Sequence, residues 1–353
     1  MLSLSPSRYS REAQNNLDLL ISRNLTASSF QNAIRVLNER FRVYASTSPA
    51  PLPAPGLIVT PEIRCQSELY LPVAEIALTF QQLYRCSLTY PPFLSSTPFH
   101  NALSWADVFS QLPPNAQISA NPARLLQQLL SDHDLLVEFL FASFLPNRFY
   151  GGFERYPQQA ETIRERLSRL HPGTLRCLDA ACGTGEDTYL LAGLLMERCF
   201  PAEKVQIEGW TIEPMEIWAA GHCSLPHDRG REAIFREKTC GLFEQGFHTR
   251  IRFRSVDLLA PPQTEQFDLI LCNGLLGGPI INSAEKMGRV AANLAHLLAP
   301  GGILLAANHF HGGWQQKCPQ ENLRELFEEN GLKTFVAGEG IGAQKPINKN
   351  GSP

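Results

Sequence analysis

The chain has 353 residues, of which 44% are hydrophobic and 18% are charged, a composition typical of globular proteins with enough apolar material for a sizeable core. Its formal net charge of −3 argues against a nucleic-acid-binding protein, because contacts to phosphate usually need a strongly basic face. The nine cysteines include no C-x-x-C pair and favour a reducing, cytoplasmic environment over a disulfide framework. The sequence has no run of about 18 apolar residues and no signal-peptide pattern, so we expect no membrane insertion.

The first 146 residues predict a mainly helical domain. Apolar residues recur at helical spacing in segments such as "SREAQNNLDLLISRN" and "PARLLQQLLSDHDLLVEFLFASFL". The stretch "TSPAPLPAPG" at 47–56 holds four prolines in ten residues, which is typical of an extended linker or an irregular surface loop. Because residues 1–146 contain no motif of recognisable chemistry, we interpret them as a helical packing or lid domain.

The pattern changes in residues 147–343, which predict an α/β domain. Short apolar runs such as "LRCLDA", "VQIEGWTI" and "FDLILCN" alternate with segments of helical periodicity. This alternation predicts a Rossmann-like domain, in which a mostly parallel sheet is covered by helices on both faces. Ligands of such domains bind beyond the carboxyl ends of the strands. The polar residues 344–353 predict a disordered tail.

The segment "LDAACGTGEDTYLLAGLL" predicts a strand, a tight glycine turn and a helix at such a carboxyl end. Gly183 and Gly185 allow the backbone to approach a ligand closely. A dinucleotide fingerprint needs a third glycine where this chain has Thr188. Asp179, before the turn, would repel a pyrophosphate but suits an ammonium group. S-adenosylmethionine has an α-amino group, a sulfonium charge and no phosphate, so the motif favours it as the cofactor over NAD.

Polar residues also follow the next three predicted strands. "EGWTIEP" supplies Glu213 as an acceptor for the ribose hydroxyls. If the strand ends two residues earlier, Thr211 takes that place and Glu213 only caps the next helix. "FRSVDLLAPP" places Asp257 to accept from the adenine amino group and Leu258 to pack on the ring, with a turn or capping role for Asp257 as the alternative. "FDLILCNGLLGG" places Asn273 beside the expected position of the transferable methyl group.

Three segments resemble the chemotaxis-receptor methyltransferases of the CheR family. "GGFERYPQQ" is similar to that family's "FFR-x-P" segment, "AACGTGEDTYLLAGLL" to its "A-x-C-x-T-G-E-E-x-Y-S-L-A" signature, and "FRSVDLLAPP…FDLILCN" to its "F…NLL…FD-x-I-x-C-RN" segment. The resemblance covers about residues 147–310. It implies an S-adenosylmethionine-dependent methyltransferase in which Arg155 lies near the cofactor's carboxylate, while Cys182 and Glu186 help to line the pocket. Family members methylate glutamate side chains of membrane receptors.

The chain departs from the CheR pattern on the acceptor side of the pocket. Where the family has Cys-Arg-Asn, this chain has Cys-Asn-Gly at 272–274, and the glycines of "LLGGP" replace an expected tyrosine. An acceptor carboxylate needs a cation beside it, which Arg250 or Arg252 could supply instead. We expect Asn273 to act on a different acceptor. The predicted reaction is methyl transfer to an oxygen or nitrogen atom of a protein or small molecule, and not to a chemoreceptor glutamate.

Further candidates lie after the second and fifth predicted strands. His309 and His311 follow the fifth strand, and His309 is a candidate general base, with a polar loop histidine as the commoner alternative. The family has a small β-insertion where "HCSLPHDRGREAIFREKTCGLFEQGFHTR" has charged helical character, and we expect no metal site there. Trp210 and Trp218 are more typical of core or lid residues than of a substrate cage.

Two other functions are compatible with parts of the sequence. A non-catalytic S-adenosylmethionine sensor, signalling through the N-terminal domain, is suggested by the loss of the Arg-Asn pair. An NAD-type oxidoreductase is disfavoured by Asp179 and Thr188.

Overall fold

A computed structural model describes residues 2–22, 25–146, 152–167, 173–262, 266–278, 280–307 and 318–347. The chain forms two compact units. The helical unit comprises residues 10–149 and 225–229, and the sheet unit comprises residues 1–9, 150–224 and 230–353.

The helical unit contains the α-helices of the N-terminal region. They are α1 (Ser10–Leu20), α2 (Gln31–Thr47), α3 (Pro61–Tyr70), α4 (Val73–Ser87), α5 (Trp105–Gln111), α6 (Pro122–Ser131) and α7 (His133–Phe144). The side chains of Thr60, Ser104 and Asp132 accept backbone N–H groups at the starts of α3, α5 and α7, which satisfies donors that a helix start leaves open. Buried aromatic rings fill the core of this unit. Tyr84 is stacked on Phe139, with 5.8 Å between the ring centroids. This unit confirms the predicted helical character of the N-terminal region.

The sheet unit contains an eight-stranded sheet. Its strands are β1 (Ser3–Leu4), β2 (Leu175–Asp179), β3 (Val205–Thr211), β4 (Ile251–Ser255), β5 (Phe267–Leu271), β6 (Leu298–Ala307), β7 (Lys333–Ala337) and β8 (Gly340–Gln344). They lie in the order β1-β4-β3-β2-β5-β6-β8-β7. Strands β2 to β6 pair in parallel, whereas β1 and β8 run antiparallel to their neighbours. The order confirms the predicted Rossmann-like fold.

Helices cover this sheet on both faces. They are α8 (Pro157–Leu167), α9 (Glu186–Glu197), α10 (Pro214–His222), α11 (Arg229–Lys238), α12 (Cys240–Glu244), α13 (Ala284–Leu297) and α14 (Gln320–Glu329). Strand β5 sends Leu269 and Leu271 into one apolar cluster and Ile270 into the other, as the two-residue period of a strand dictates. The first cluster includes Leu191 of α9, and the second includes Leu294 of α13. None of the described helices combines the length and hydropathy needed to cross a bilayer.

The strand order reverses at β2, whose neighbours are β3 on one side and β5 on the other. Just beyond these strands, Ala180 N donates to Leu271 O at 2.7 Å. Crevices at such reversal points are where open α/β sheets bind ligands. The glycine turn after β2 and Asn273 after β5 therefore meet at one ligand-binding edge.

The first residues of the chain belong to the sheet unit and not to the predicted N-terminal domain. Ser3 and Leu4 pair with Arg254 and Phe253 of β4, and they cover an edge that would otherwise expose unpaired backbone groups. Ser7 N then donates to the backbone oxygen at position 221 over 2.8 Å. A two-residue strand is too short to show periodicity. The sequence pattern therefore assigned this segment to the predicted N-terminal domain, which began at residue 1.

The end of the sheet corrects the predicted start of the tail at residue 344. Gln344 is the last residue of β8 and pairs with Ile303 and Lys333. Lys345 Nζ donates to the backbone oxygens of Ala295 and Leu298 at 2.8 Å and 2.7 Å. Residues 348–353 of the predicted tail lie outside the described part of the chain.

Candidate functional site

The turn after β2 depends on two glycines with left-handed backbone conformations. Gly183 has a φ of 51° and Gly185 a φ of 95°, values that residues with a side chain rarely adopt. A Cβ on Gly185 would lie 2.9 Å from the Cβ of Ala220 and 3.1 Å from the ring of Phe253. A larger residue at Gly185 would therefore have to displace α10 or β4.

Asp179, the last residue of β2, is 1% exposed. Its Oδ2 accepts a hydrogen bond from Thr188 Oγ1 at 2.7 Å, while its Oδ1 has no hydrogen-bond partner among the described residues. Burial, followed by the charge of Asp187, raises the pKa of Asp179 to about 8, against the lowering effect of the Thr188 hydrogen bond. Burying a carboxylate without full compensation costs free energy, and a bound cation would reduce that cost.

Asn273 is 7% exposed and uses every hydrogen-bonding position of its amide. Its Nδ2 donates to Gln159 Oε1 at 2.8 Å and to Asp187 Oδ2 at 3.0 Å. Its Oδ1 accepts from Gln159 Nε2 at 3.0 Å and from Ala307 N at 3.1 Å. The amide thus joins the ends of β5 and β6 to α8 and α9. The catalytic role predicted for Asn273 would require one of these four bonds to break.

Asp187 is a site residue that the sequence motifs do not single out. It lies in the first turn of α9, where its carboxylate meets the Asn273 amide. Burial raises the pKa of Asp187, while the Asn273 hydrogen bond and the charge of Arg155 lower it. Its position directly after Glu186, in the helix that starts at the glycine turn, was the available signal.

The segment that carries Arg155 is held in place by helix α8. Glu339, in the turn between β7 and β8, accepts from Gln158 N at 3.1 Å and from Gln159 N at 2.9 Å, so it caps the start of α8. Gln159 is in turn bonded to Asn273. Arg155, just before this helix, interacts electrostatically with Asp187. The structure therefore brings Arg155 to the glycine-turn edge, although its predicted contact with the cofactor carboxylate stays a prediction.

Glu186 is buried at the start of α9, and its carboxylate already has protein partners. It accepts from Thr184 Oγ1 at 2.6 Å and forms an ion pair with Arg231 of α11. Its predicted role in lining the cofactor pocket stays a prediction.

Strand β3 ends at the earlier of the two predicted positions. The strand ends at Thr211, and Glu213 is the N-cap of α10, with its Oε1 accepting from Met215 N at 3.2 Å. Thr211 Oγ1 donates to Glu216 Oε2. This is the alternative in which Glu213 caps the helix and Thr211 takes the ribose position, and the ribose contact itself stays a prediction.

Asp257 has the turn role that the sequence allowed as an alternative. It is exposed after β4, and its Oδ1 accepts from Leu259 N at 2.9 Å. Leu258 is 6% exposed and packs in the apolar cluster that contains Trp210. The predicted contacts of Asp257 and Leu258 with adenine stay predictions, since the turn bond occupies one carboxylate oxygen and leaves the other for a ligand.

The remaining candidates are core residues or lie outside the described part of the chain. His309 and His311 fall within residues 308–317, which the structure does not describe. Trp210 and Trp218 are buried, as expected of core residues. Cys182 is also buried, and burial raises the pKa of its thiol well above the usual range, so the thiol stays protonated; its predicted role in lining the cofactor pocket stays a prediction. Within the described ranges, no cluster of histidine, cysteine and acidic residues is suited to a metal ion.

The described residues fit a ligand that carries an amino acid group and a further positive charge. Asp179 offers an open, buried carboxylate oxygen, and Asp187 adds a second carboxylate close by. Arg155, beside Asp187, can grip a ligand carboxylate. S-adenosylmethionine satisfies these requirements, because it has an ammonium group, a carboxylate and a sulfonium charge.

Replacement of Asp257 by alanine is expected to weaken S-adenosylmethionine binding about tenfold. A hydrogen bond to a charged acceptor contributes about 1.5–3 kcal/mol, and exposure of Asp257 favours the lower end. Asp257→Asn is the matched control for the turn, since its Oδ1 can still accept from Leu259 N. Calorimetry should show weaker binding for both variants. Normal binding by Asp257→Asn would assign the residue to the turn alone.

Comparison with known proteins points to one family. Residues 148–309 match the family model "CheR methyltransferase, SAM binding domain". A chemotaxis protein methyltransferase of Listeria monocytogenes is 29% identical over 196 residues, which are 53% of this chain and 70% of that protein. A probable biofilm formation methyltransferase, WspC of Pseudomonas putida, is 29% identical over 195 residues, which are 51% of this chain and 44% of that protein.

Solved structures show only partial similarity, and two of them are named as methyltransferases. One is the SAM-bound amino pentose methyltransferase CalS10 of Micromonospora echinaspora, with 16% identity, a TM-score of 0.35, and coverage of 53% of this chain and 90% of that chain. Another is the StiE O-MT fragment, with 20% identity, a TM-score of 0.32, and coverage of 50% of this chain and 52% of that chain. The fold assignment itself follows from the strand order given above.

Proposed function

We propose, on the premise that the chain carries a methyltransferase domain of the CheR family, that it transfers a methyl group from S-adenosylmethionine to an oxygen or nitrogen atom of an acceptor other than a chemoreceptor glutamate. The acceptor is part of a protein or a small molecule. The family match and the relatives named as methyltransferases support the transfer reaction. The fully bonded, uncharged amide of Asn273 carries the proposal about the acceptor.

Residues at the carboxyl ends of the strands would hold the cofactor. Asp179 and Asp187 would attract its ammonium group, and Arg155 would bind its carboxylate. Thr211 and Asp257 would contact the adenosine part. When bound, S-adenosylmethionine supplies a methyl carbon made electrophilic by the sulfonium charge. The contribution of the chain is to hold this carbon in line with the acceptor atom and to keep water away.

An anionic acceptor is disfavoured by the charges at this edge. Asp179 and Asp187 are acidic, and Asn273 occupies the position at which the CheR family has an arginine. A carboxylate brought into such a pocket would lose its hydration without gaining a cation of the chain, since Arg155 would bind the cofactor carboxylate. A neutral hydroxyl or amine avoids that cost.

Arg250 and Arg252, the two candidate replacements for the family's arginine, lie away from the ligand-binding edge. Arg250 precedes β4 and Arg252 is the second residue of that strand, and both are exposed. The ligand-binding edge is at the other end of β4, roughly 10 Å from Arg252 and roughly 16 Å from Arg250 at about 3.3 Å per residue. Their position therefore does not support a role in binding an acceptor carboxylate.

Arg155→Ala is expected to weaken S-adenosylmethionine binding about tenfold or more, because a bidentate, charge-assisted contact to the cofactor carboxylate is lost. Arg164→Ala is the matched control. Arg164 lies on α8 and is bound to Glu161 and Glu197 on the surface. Calorimetry on both folded variants is the measurement. Equal affinities of Arg155→Ala and the parent protein would remove Arg155 from the site.

Incubation with labelled S-adenosylmethionine and receptor-containing membranes tests the choice of acceptor. We expect no base-labile methyl label on the receptors above background, while a genuine chemoreceptor methyltransferase labels them in a parallel reaction. Labelling at a rate comparable to that control would show that Asn273 does not exclude a carboxylate acceptor.

A further inference from the structure

Helix α11 brings a cation, the side chain of Arg231, to the glycine turn. Arg231 lies outside the motifs that follow the strands of the sheet. The Arg231 side chain is 16% exposed and the Glu186 side chain 9% exposed. Arg231 Nη2 donates to Thr184 Oγ1 at 2.9 Å and to the Glu186 carboxylate. Thr184 Oγ1 donates to the other oxygen of that carboxylate at 2.6 Å. The three side chains are hydrogen-bonded to one another and largely buried.

The hydrogen bonds of Arg231 reach the glycine turn itself, whose backbone conformation must be maintained. Thr184 lies between Gly183 and Gly185, and Glu186 is the first residue of α9. Inside the turn, Gly185 N donates to the Cys182 backbone oxygen at 2.8 Å. Arg231 therefore adds an external tie to a turn whose two glycines lack side chains of their own.

Helix α11 is itself well anchored in the sheet unit. Ser224 Oγ donates to Glu232 Oε2 at 2.8 Å. Phe235 is 2% exposed, and its ring meets the edge of the Tyr189 ring of α9 at 5.4 Å. Arg8 Nη2 donates to the Arg236 backbone oxygen at 2.7 Å. A side chain on such a fixed element can hold a neighbouring loop accurately.

We infer that Arg231 is a positioning residue for cofactor binding, which acts by fixing Thr184 and Glu186 and does not touch the cofactor. The inference rests on the proposed cofactor site at the glycine turn. Without Arg231, Glu186 would be a buried carboxylate that has lost its cation, and the turn would lose its tie to α11. Because the insertion between β3 and β4 supplies this residue, the insertion takes part in cofactor binding.

The test compares Arg231→Gln with Arg236→Gln, a charge-matched change on the same helix. Arg236 pairs with Glu232 and is 45% exposed, so its loss leaves the turn in place. Calorimetry with S-adenosylmethionine and with S-adenosylhomocysteine is run on both variants and on the parent chain. We expect Arg231→Gln to weaken both ligands by about tenfold or more, since small misplacements of a binding element have effects of this size. Arg236→Gln should bind like the parent.

Two further variants separate positioning from charge and from folding. Glu186→Gln combined with Arg231→Gln should bind no more weakly than Arg231→Gln alone, because the two residues act as one unit. Arg231→Lys should recover part of the affinity, and it serves as the test variant if Arg231→Gln does not fold. Parent-like binding of both ligands by folded Arg231→Gln, or by Arg231→Lys in its place, would overturn the inference. Tighter S-adenosylmethionine binding with unchanged S-adenosylhomocysteine binding would also overturn it, since only charge would then matter. Absence of binding by the parent would instead contradict the cofactor site itself.

Discussion

Gly185→Ala is expected to lower the thermal midpoint of unfolding by about 4–24 °C and to weaken cofactor binding at least about tenfold. The new methyl group would lie 2.9 Å from the Cβ of Ala220, a distance that real side chains essentially never show, and 3.1 Å from the Phe253 ring, which is closer than most real contacts. Overpacking of this kind costs about 1–3 kcal/mol, and a side chain held at a left-handed φ adds about 1–3 kcal/mol. For a domain of roughly this size, each kcal/mol lowers the midpoint by about 2–4 °C.

Gly193→Ala provides the matched control for this change. Gly193 lies on the same helix, α9, and nothing is within 4 Å of the position that its Cβ would take. Alanine is favoured over glycine in a helix by about 1 kcal/mol, so this variant should be as stable as the parent protein or more stable. Differential scanning calorimetry measures both midpoints. A Gly185→Ala protein as stable as Gly193→Ala would show that the turn tolerates a side chain.

Asp179→Asn is expected to stabilise the cofactor-free protein above neutral pH while it weakens S-adenosylmethionine binding about 30-fold or more. The substitution keeps the shape and can keep the hydrogen bond from Thr188, but it removes a charge that burial and Asp187 disfavour. The same charge would attract the ammonium group of the ligand, and loss of one partner of a buried charged pair costs at least about 2 kcal/mol of binding free energy. Stability and function thus oppose each other at this residue.

The pH dependence of stability follows from the raised pKa of Asp179. Between the ordinary pKa of about 3.9 and the folded-state value of about 8, the folded protein holds a proton at Asp179 that the unfolded chain has released. The free energy of unfolding therefore falls as the pH rises through this window and levels off above it. Asp179→Asn should reduce this decline and leave the part due to Asp187, whose pKa burial also raises. Urea unfolding at several pH values measures the difference.

Asp268→Asn is the control for both measurements. Asp268 lies near the start of β5, where its Oδ2 accepts from Arg176 N at 2.8 Å, at the opposite edge of the sheet from the glycine turn. This variant should keep the ligand affinity of the parent and its decline in stability with pH. If Asp179→Asn bound S-adenosylmethionine normally, the acidic residue of the motif would not be a ligand contact.

The elements with local signals in the sequence were predictable. The alternation of apolar runs and helices predicted the parallel sheet, and Asp179, Gly183 and Gly185 predicted where its ligand-binding edge lies. These residues are close together in the chain, and their chemistry follows from the strand–turn–helix geometry alone. The two possible roles of Glu213 were foreseen, but the choice between them depended on where β3 ends, and strand ends are the least certain feature of a sequence pattern.

The residues that the sequence did not single out act through contacts between distant segments. Glu339 caps α8 across about 180 positions of the chain, and Arg231 reaches Glu186 from an insertion. From their neighbours in the sequence alone, Glu339 and Arg231 cannot be distinguished from ordinary charged residues on the surface. Asn273 was singled out, but the Gln159 amide that saturates it lies in the distant "GGFERYPQQ" segment. Packing decides such pairings, and local propensity carries no information about them.

Calorimetric titration of the full chain with S-adenosylmethionine, S-adenosylhomocysteine and NAD tests the central claim most directly. The arrangement of Asp179, Asp187 and Arg155 around the glycine turn predicts saturable one-site binding of the first two ligands and no binding of NAD, whose pyrophosphate the acidic residues repel. Folded protein that gives no binding heat with S-adenosylmethionine or S-adenosylhomocysteine, or that binds NAD, would contradict it.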